Sequence, residues 1–352
     1  MSKICIIGHF AFGKELINGQ TIKTKNLYRA FCEAYGCDSV AAADTHSLSR
    51  NPVKLLSLCL SSLKKHENII LLPAQNGVRV LVPLFVFLNR FYHRRLYYNV
   101  IGGWLPSLLQ NKPALSRFVK RLDGVVVETQ HMKAAMEALG FSNLCIASNF
   151  KFIVPLSYVQ LIFNRQKPFR LCTFSRVMAE KGIEDAVDAV TAVNRALGET
   201  AFSLDIYGPV DDNYKNQFSL LKSHFPPFVR YQGTIPASNS VAVIKEYFAL
   251  LFPTRFFTEG VPGTLIDAFF AGVPVIAARW QSFDDVMLDG RTGLGYPMGD
   301  TQALVSILKE CYDNPERLNG MKKSCLEHAK QYMPNEALEP FFQMMQSSDN
   351  KN

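Results

Sequence analysis

No stretch of this sequence approaches the roughly 20 consecutive apolar residues that a membrane-crossing helix requires. The greasiest segment, Leu81 to Leu88, is short and is interrupted by Pro83. The opening MSKICIIGHF has too brief an apolar run for a secretory signal and reads instead as the start of a strand. Eight cysteines are present, but they form no Cys-x-x-Cys pair and no metal-ligand spacing. They are therefore expected to be buried thiols in a reducing compartment rather than a disulfide framework or a zinc site. The Gly-x-Gly-x-x-Gly fingerprint is missing, which argues against a dinucleotide-dependent oxidoreductase. Basic residues are plentiful, yet no RNA-binding signature accompanies them, so nucleic acid is not an expected partner.

What is present is an ordinary globular composition, 48% apolar and 19% charged, in 352 residues. That length exceeds what one core usually serves and favours two domains. Charge divides unevenly between them. Met1 to Arg165 carries 20 Lys and Arg against 8 Asp and Glu, a net of +12, whereas the remainder carries −4 of the chain's +8. A basic first half beside a mildly acidic second half implies an anionic partner for the first domain. The segment Arg90-Phe91-Tyr92-His93-Arg94-Arg95 interleaves rings with cations, a mixture suited to an anionic membrane surface. Plain solvated charge is the competing reading.

Strand-like runs recur through both halves with helical stretches between them, the alternation of an α/β protein with doubly wound parallel sheets. In the first half they are Lys3–Gly8, Ser39–Ala43, Asn68–Leu72, Leu96–Ile101, Gly124–Val127 and Asn143–Ala147. In the second they are Phe169–Phe174, Phe202–Tyr207, Phe228–Tyr231, Phe248–Phe252, Val273–Ala277 and Gly293–Tyr296. The expected domains are 1–165 and 166–330, followed by 331–352 as a C-terminal helix and polar tail. After the first strand, a loop with Gly13 and Gly19 leads into a helix, an arrangement that presents backbone N–H groups to phosphate; turn shaping would explain the glycines equally well. Gly102, Gly103 and Trp104 follow the fourth strand, where backbone could approach a ligand and the indole could stack on a sugar. His131 lies just beyond the fifth strand, as a candidate cleft residue or a helix-end structural one.

The most informative stretch is Phe252 to Ala278, which reads as strand, loop, helix and strand. Pro253 stops the first strand, Pro262 suits a helix start, and Gly272 followed by Pro274 ends that helix. Glu259 is thereby placed in the loop beyond the carboxyl end of a strand, where parallel sheets bind ligands.

That stretch resembles the signature of the retaining GT-B glycosyltransferases of family four (glycosyltransferase group 1). Their pattern is matched by Glu259-Gly260-Val261-Pro262, by Asp267 eight positions after Glu259, and by Gly272-Val273-Pro274-Val275-Ile276. The family's second acidic residue is usually glutamate, and Asp267 is one methylene shorter. A second motif, Ser175 to Gly182, follows the Phe169–Phe174 strand. The first half is more loosely similar to bacterial capsule, O-antigen and other surface-polysaccharide transferases in its Gly19-Gln20-Thr21, Ile101-Gly102-Gly103-Trp104 and Val127-Glu128-Thr129 pieces.

The resemblance implies a GT-B fold, two Rossmann-like domains facing across a cleft, with the last helix crossing back to the first domain. It implies that Arg176 and Lys181 hold the donor diphosphate, and that Glu259 acts at the donor sugar. The donor site would further include Gly19 (in the run Asn18-Gly19-Gln20-Thr21), Gly208, Ile235, Gly260, Val261, Pro262, Gly263 and Asp267. No cofactor or metal is expected beyond the nucleotide-sugar co-substrate, with UDP favoured over GDP. The adjacent pairs Asp211-Asp212 and Asp284-Asp285 are not the metal-binding Asp-x-Asp of GT-A enzymes and read as solvated or capping residues. The implied activity is transfer of a sugar to a glycan or lipid-linked glycan, at the cytoplasmic face of the plasma membrane, with the basic first domain on anionic lipid. Competing readings are a nucleotide-sugar epimerase of the same architecture and a non-catalytic basic adaptor.

Overall fold

The computed structural model describes residues 3–14, 19–46 and 51–349. The chain divides into two units, one built from Met1–Phe152 and Pro334–Asn352 and one from Ile153–Met333. The first contains six parallel strands: β1 (Ile4–Gly8), β2 (Val40–Asp44), β3 (Asn68–Leu72), β4 (Arg95–Asn99), β5 (Gly124–Val127) and β6 (Leu144–Ile146), in spatial order β2-β1-β3-β4-β5-β6. Every residue of β1, β3 and β5 is buried. Helices cover both faces of such a sheet, so its central strands are apolar throughout rather than alternating.

The second unit also has six parallel strands: β7 (Phe169–Phe174), β8 (Phe202–Tyr207), β9 (Val229–Gly233), β10 (Ala249–Phe252), β11 (Val275–Ala278) and β12 (Gly293–Tyr296). Their order is β12-β11-β10-β7-β8-β9. Counted from its own first strand this is the Rossmann order 3-2-1-4-5-6, whose direction of winding reverses between β7 and β10. Ligands bind at such a reversal, beyond the carboxyl ends of the two strands.

The dividing point differs from the expected 165/166. Ile153 and Leu156 pack on the core around Cys172 and Phe270, and the Leu156 N–H donates to the Phe270 carbonyl at 2.9 Å. The joining segment therefore belongs to the second unit. The C-terminal helix, Pro334–Asp349, contributes Leu338, Phe341 and Met345 to the core of the first. The Phe341 ring lies 5.5 Å from that of Phe31 and 5.8 Å from that of Tyr97. Among the cysteines, Cys37 corrects the expectation of buried thiols, because the turn Cys37–Ser39 leaves it exposed.

One buried charge has little to compensate it. Lys322 is 1% exposed in the Lys322–Ala329 helix, and its Nζ reaches only the Tyr247 carbonyl at 3.4 Å. Burial lowers its pKa from 10.5 to about 8. Below that value the lysine is charged in folded and unfolded chains alike, and the full desolvation cost is present. Between about 8 and 10.5 the folded chain releases its proton first, so this group's contribution to stability rises with pH. Lys322→Met is expected to raise the unfolding free energy by about 1–3 kcal/mol at pH 7. The gain should shrink between pH 8 and 10.5; denaturant melts of both proteins across that range check the size and the trend.

Candidate functional site

The winding reversal of the second unit brings together the two loops that the sequence singled out. From β7 the chain passes through Ser175 and Arg176 into the short turn Ala179–Lys181, then through Gly182 into the Ile183–Leu197 helix. From β10 it passes through Pro253, Thr254 and Glu259 into the Gly263–Phe270 helix. Neither helix has a side-chain cap at its N-terminus, so first-turn N–H groups and the positive end of each dipole face the reversal.

The Lys181 ammonium donates to Glu259 Oε1, and the Thr254 hydroxyl reaches the same oxygen at 3.2 Å. The Lys181 and Glu259 side chains are 20% and 13% exposed. That is enough burial to hold the pair in one geometry, and enough opening for a ligand to reach it. The backbone beneath is stapled across the two loops. Arg255 N–H donates to the Glu180 carbonyl at 2.8 Å, and its guanidinium grips Asp185 through two hydrogen bonds of 2.8 and 2.6 Å. Gly182 has φ +63°, and a Cβ there would lie 1.9 Å from the Pro253 carbonyl oxygen. Only glycine allows β7's loop to sit this close to β10's.

Arg176 is looser. It makes a long 3.5 Å contact with Asp211 and leaves 43% of its side chain in solvent. Asp211 also caps its own turn by accepting from the Asn213 N–H at 3.1 Å, and Asp284 pairs with Arg279 at 3.2 Å. Gly208, at the end of β8, has φ +132°, and a Cβ there would meet the Ser175 carbonyl at 1.8 Å. Gly208 thus fixes how closely β8 approaches the Arg176 loop. Ile235 packs at the edge of the core that holds the Gly263–Phe270 helix. Val261 is buried, and the Gly260 carbonyl accepts from the buried Trp280 indole at 3.3 Å. Pro262 stands at the helix N-cap, Gly263 begins the helix, and Asp267 is buried within it.

Thr254, the Arg255–Asp185 clamp and Trp280 were not anticipated from the sequence. Each acts through contacts remote in the chain, and no local pattern marks them.

In the first unit, Gly19 begins the Gly19–Tyr35 helix, while Asn18 lies outside the described residues. Gly102 has φ +78°, and the Trp104 indole N–H donates to the Ile101 carbonyl at 2.7 Å, closing that turn. Gly103 is buried beside it. His131 is exposed on the first turn of the Gln130–Ala138 helix, whose cap is the Thr129 side chain. The less expected feature lies at the carboxyl ends of β1 and β2. His9 Nδ1 lies 2.8 Å from the Thr21 hydroxyl, its Nε2 lies 2.9 Å from His46 Nδ1, and His46 Nε2 lies 3.1 Å from Lys14 Nζ. Partial burial, then the neighbouring His46, lowers the pKa of His9. A buried Lys23–Glu128 pair supports this end, with Lys23 also donating to the Val100 carbonyl at 2.8 Å.

Known structures share this architecture. Anabaena Alr3699/HepE, solved with UDP and glucose, superposes with a TM-score of 0.75 at 15% identity, over 99% of this chain and all of that one. Sucrose-phosphate synthase from Thermosynechococcus elongatus gives a TM-score of 0.78 at 14% identity, with both chains fully covered. The fold is that of the GT-B glycosyltransferases. Residues 168–314 match the family Glycosyl transferases group 1, and the second unit carries a domain of that family. Among curated proteins, the GtfA subunit of the Streptococcus agalactiae UDP-N-acetylglucosamine–peptide N-acetylglucosaminyltransferase is 28% identical over 163 residues. That match covers 45% of this chain and 28% of the relative. The chain spans less than half the length of the curated relatives it matches.

The stapled loops give a direct test. Gly182→Ala should destabilise the protein well beyond the roughly 1–2 kcal/mol that a left-handed non-glycine residue costs, because the Pro253 carbonyl must also move. Gly198→Ala is the control, since Gly198 ends the same helix at φ +70° with nothing within 4 Å of the added Cβ. Equal losses for the two variants in thermal melts would show that the close approach carries no weight.

Proposed function

We propose that this protein is a retaining glycosyltransferase that needs no metal. It moves a sugar from a UDP-sugar to a glycan or lipid-linked glycan acceptor in surface-polysaccharide assembly. The observation that carries this reading is the junction of Glu259, Thr254 and Lys181 at the winding reversal of a group 1 glycosyl transferase domain, with Arg176 half exposed in the same loop as Lys181.

The chemistry follows from charge. As the sugar departs, negative charge grows on the nucleoside diphosphate, and two cations with two helix N-termini are the groups suited to stabilise it. At the same time the anomeric carbon becomes cationic. Glu259 can accept hydrogen bonds from sugar hydroxyls and place its carboxylate near that carbon. Lys181, already bonded to Glu259, lies where the leaving diphosphate and the sugar would meet. Gly208, Ile235, Val261 and the first turn at Pro262 and Gly263 would enclose the nucleotide, with Asp267 behind them. Gly102, Gly103, Trp104 and His131 remain acceptor candidates. Retention of configuration is inferred from the resemblance in Ser175–Gly182 and Glu259–Ile276. UDP is favoured because HepE was solved with it.

Glu259→Gln removes the charge and keeps the shape. Transfer from UDP-sugars, assayed in excess EDTA, should persist in the wild type and fall by roughly 10²–10³ in the variant, the size of one preorganised electrostatic contact. UDP affinity should be retained. A variant that keeps a third of wild-type turnover would reduce Glu259 to a helix-end residue, and wild-type activity abolished by EDTA would overturn metal independence.

The reading also places the first unit on the cytoplasmic face of the plasma membrane. Among the described residues no helix is long and apolar enough to cross a membrane, so attachment would be peripheral. The corner after the Gln75–Leu88 helix exposes 54% of Phe87 and 74% of Phe91. Beside them is a cavity of about 260 Å³ lined by Arg90, Arg121 and Asn89. Rings at headgroup depth, beside the Arg90 and Arg121 guanidiniums that have no carboxylate partner among the described residues, suit anionic lipid. The wild type should bind phosphatidylglycerol-containing vesicles at low salt and lose them as salt rises, since exposed charges are screened within about 10 Å at 0.1 M. Arg90→Glu with Phe91→Ala should weaken this binding at least several-fold. Binding unchanged in the double variant would remove the corner from the interface.

A further inference from the structure

The second unit leaves part of its sheet uncovered. On one face, the Ile183–Leu197 and Lys215–Ser223 helices pack over β7, β8 and β9 through Leu171, Leu204, Ile206 and Val229. On the other, cover from the Ser240–Ile244 and Gly263–Phe270 helices reaches Cys172 and Tyr207 and stops at Tyr247. Beyond Tyr247, the floor formed by β8 and β9 opens into a cavity of about 660 Å³. Parallel sheets are ordinarily covered on both faces, so an uncovered region of parallel strands calls for an occupant.

The floor is polar, and most of it is fixed in place. Strand alternation puts Arg170, Ser203, Asp205, Arg230 and Gln232 on the uncovered face, opposite the apolar residues named above. The Asp205 carboxylate accepts from three side chains: Gln232 at 2.7 Å, the Tyr247 hydroxyl at 2.8 Å and Arg170 at 3.2 Å. The Arg170 guanidinium is also stacked 4.6 Å over the Tyr247 ring. Asp205 is thereby neutralised by Arg170, whose remaining N–H groups face solvent. Arg230 is exposed and has no carboxylate partner among the described residues. The local balance is two guanidiniums against one carboxylate.

We propose that this face is a second ligand site that binds an acidic glycan, a chain of hydroxyl-rich sugars bearing carboxylates. Planar side chains in fixed orientation can take pairs of neighbouring hydroxyls, and the surplus cation selects for a carboxylate. Arg170 and Arg230 stand two strands apart, roughly 10 Å, a span that favours an extended chain over a single small anion. The site is separate from Glu259. Arg170 and Asp205 lie in the body of their strands, whereas Glu259 lies beyond the carboxyl end of β10. The choice of a glycan rests on the glycosyltransferase reading; the choice of an anionic one rests on the charges alone. Such a site would retain the growing polymer while the other end of the unit works on the donor.

Calorimetry of the full chain at low salt tests this, with short oligogalacturonates as the acidic probe, maltohexaose as the neutral one and inorganic phosphate as the small anion. Oligogalacturonate should bind, and Arg230→Glu should weaken it by about 10- to 100-fold, the loss expected for a charge-assisted hydrogen bond. Gln232→Ala should weaken it less. The melting temperature of Arg230→Glu and the UDP affinity of both variants should match the wild type, which separates a ligand role from a structural one; Gln232→Ala, which also takes a hydrogen bond away from Asp205, should melt lower. Absent oligogalacturonate binding, binding indifferent to Arg230→Glu, or equal binding of phosphate would each overturn the proposal. So would a change in oligomeric mass caused by Arg230→Glu, which would make the face a self-interface. A wild type that binds oligogalacturonate but not UDP would instead overturn the glycosyltransferase reading and leave the acidic-ligand site in place.

Discussion

The close approach of two loops at Gly182 is the constraint on which the candidate site depends. A parallel sheet that reverses its winding between β7 and β10 leaves a gap between the helices that follow those strands. The gap becomes a site only if the loops are held at a fixed separation. Here the Pro253 carbonyl occupies the space where a Cβ of residue 182 would be, and Arg255 grips the Glu180 backbone and the Asp185 carboxylate together. Lys181 and Glu259 are 78 residues apart in the chain, yet they bond because this scaffold leaves neither loop free to withdraw. An ammonium and a carboxylate on long side chains would gain little at a freely solvated surface. The scaffold has already ordered both.

Much of this was legible in the chain. The twelve strand-like runs correspond to the twelve strands of the described residues within a few positions, because central strands buried on both faces are continuous apolar runs, β8 and β9 alternate, and Gly and Pro punctuate between them. Glu259 was placed correctly beyond a strand end for the same reason. What escaped were partners chosen by tertiary packing. Thr254 reads as an ordinary residue after a proline, and Asp185 as a helix-start acid. Trp280 carries no sign that its indole will hold the Gly260 carbonyl. Trp104, read as a possible stacking platform, also bonds its own loop at Ile101 through its indole N–H, a contact its place in the sequence does not mark. The boundary at 165 failed because Ile153 and Leu156 sit in an irregular segment whose burial depends on the distant Phe270.

The first unit shows a different physical style. Its carboxyl edge carries a chain of polar contacts, Thr21, His9, His46 and Lys14, and the same unit holds the buried Lys23–Glu128 pair. Asp44 anchors that edge. Burial raises its pKa, but N–H groups donated by His46, Phe12 and Phe10 outweigh this and leave it below the ordinary value. In a neutral histidine one ring nitrogen donates and the other accepts. The two rings meet nearly at right angles and link a hydroxyl at one end to the Lys14 amino group at the other, so the tautomer of one ring sets the role the next must take. That order suits a surface that must present one arrangement of donors and acceptors to a polar ligand.

Charge placement follows two rules in the one protein. The first half is basic overall, so its field would draw the anionic partner that the reading assigns it, most strongly at low salt. The second half is net acidic, yet the reading assigns it a nucleoside diphosphate and an acidic glycan. The resolution lies in local pairing. Asp185 is consumed by Arg255, Asp205 by Arg170, and Glu259 by Lys181, so most carboxylates near the two sites are already neutralised. Cations with capacity to spare include Arg176, in the loop after β7, and Arg230 on the uncovered face. A ligand within hydrogen-bond reach responds to those groups rather than to the distant net charge, because screening removes the latter and a direct contact survives it. Long-range attraction and short-range selection are thereby divided between the two halves of the chain.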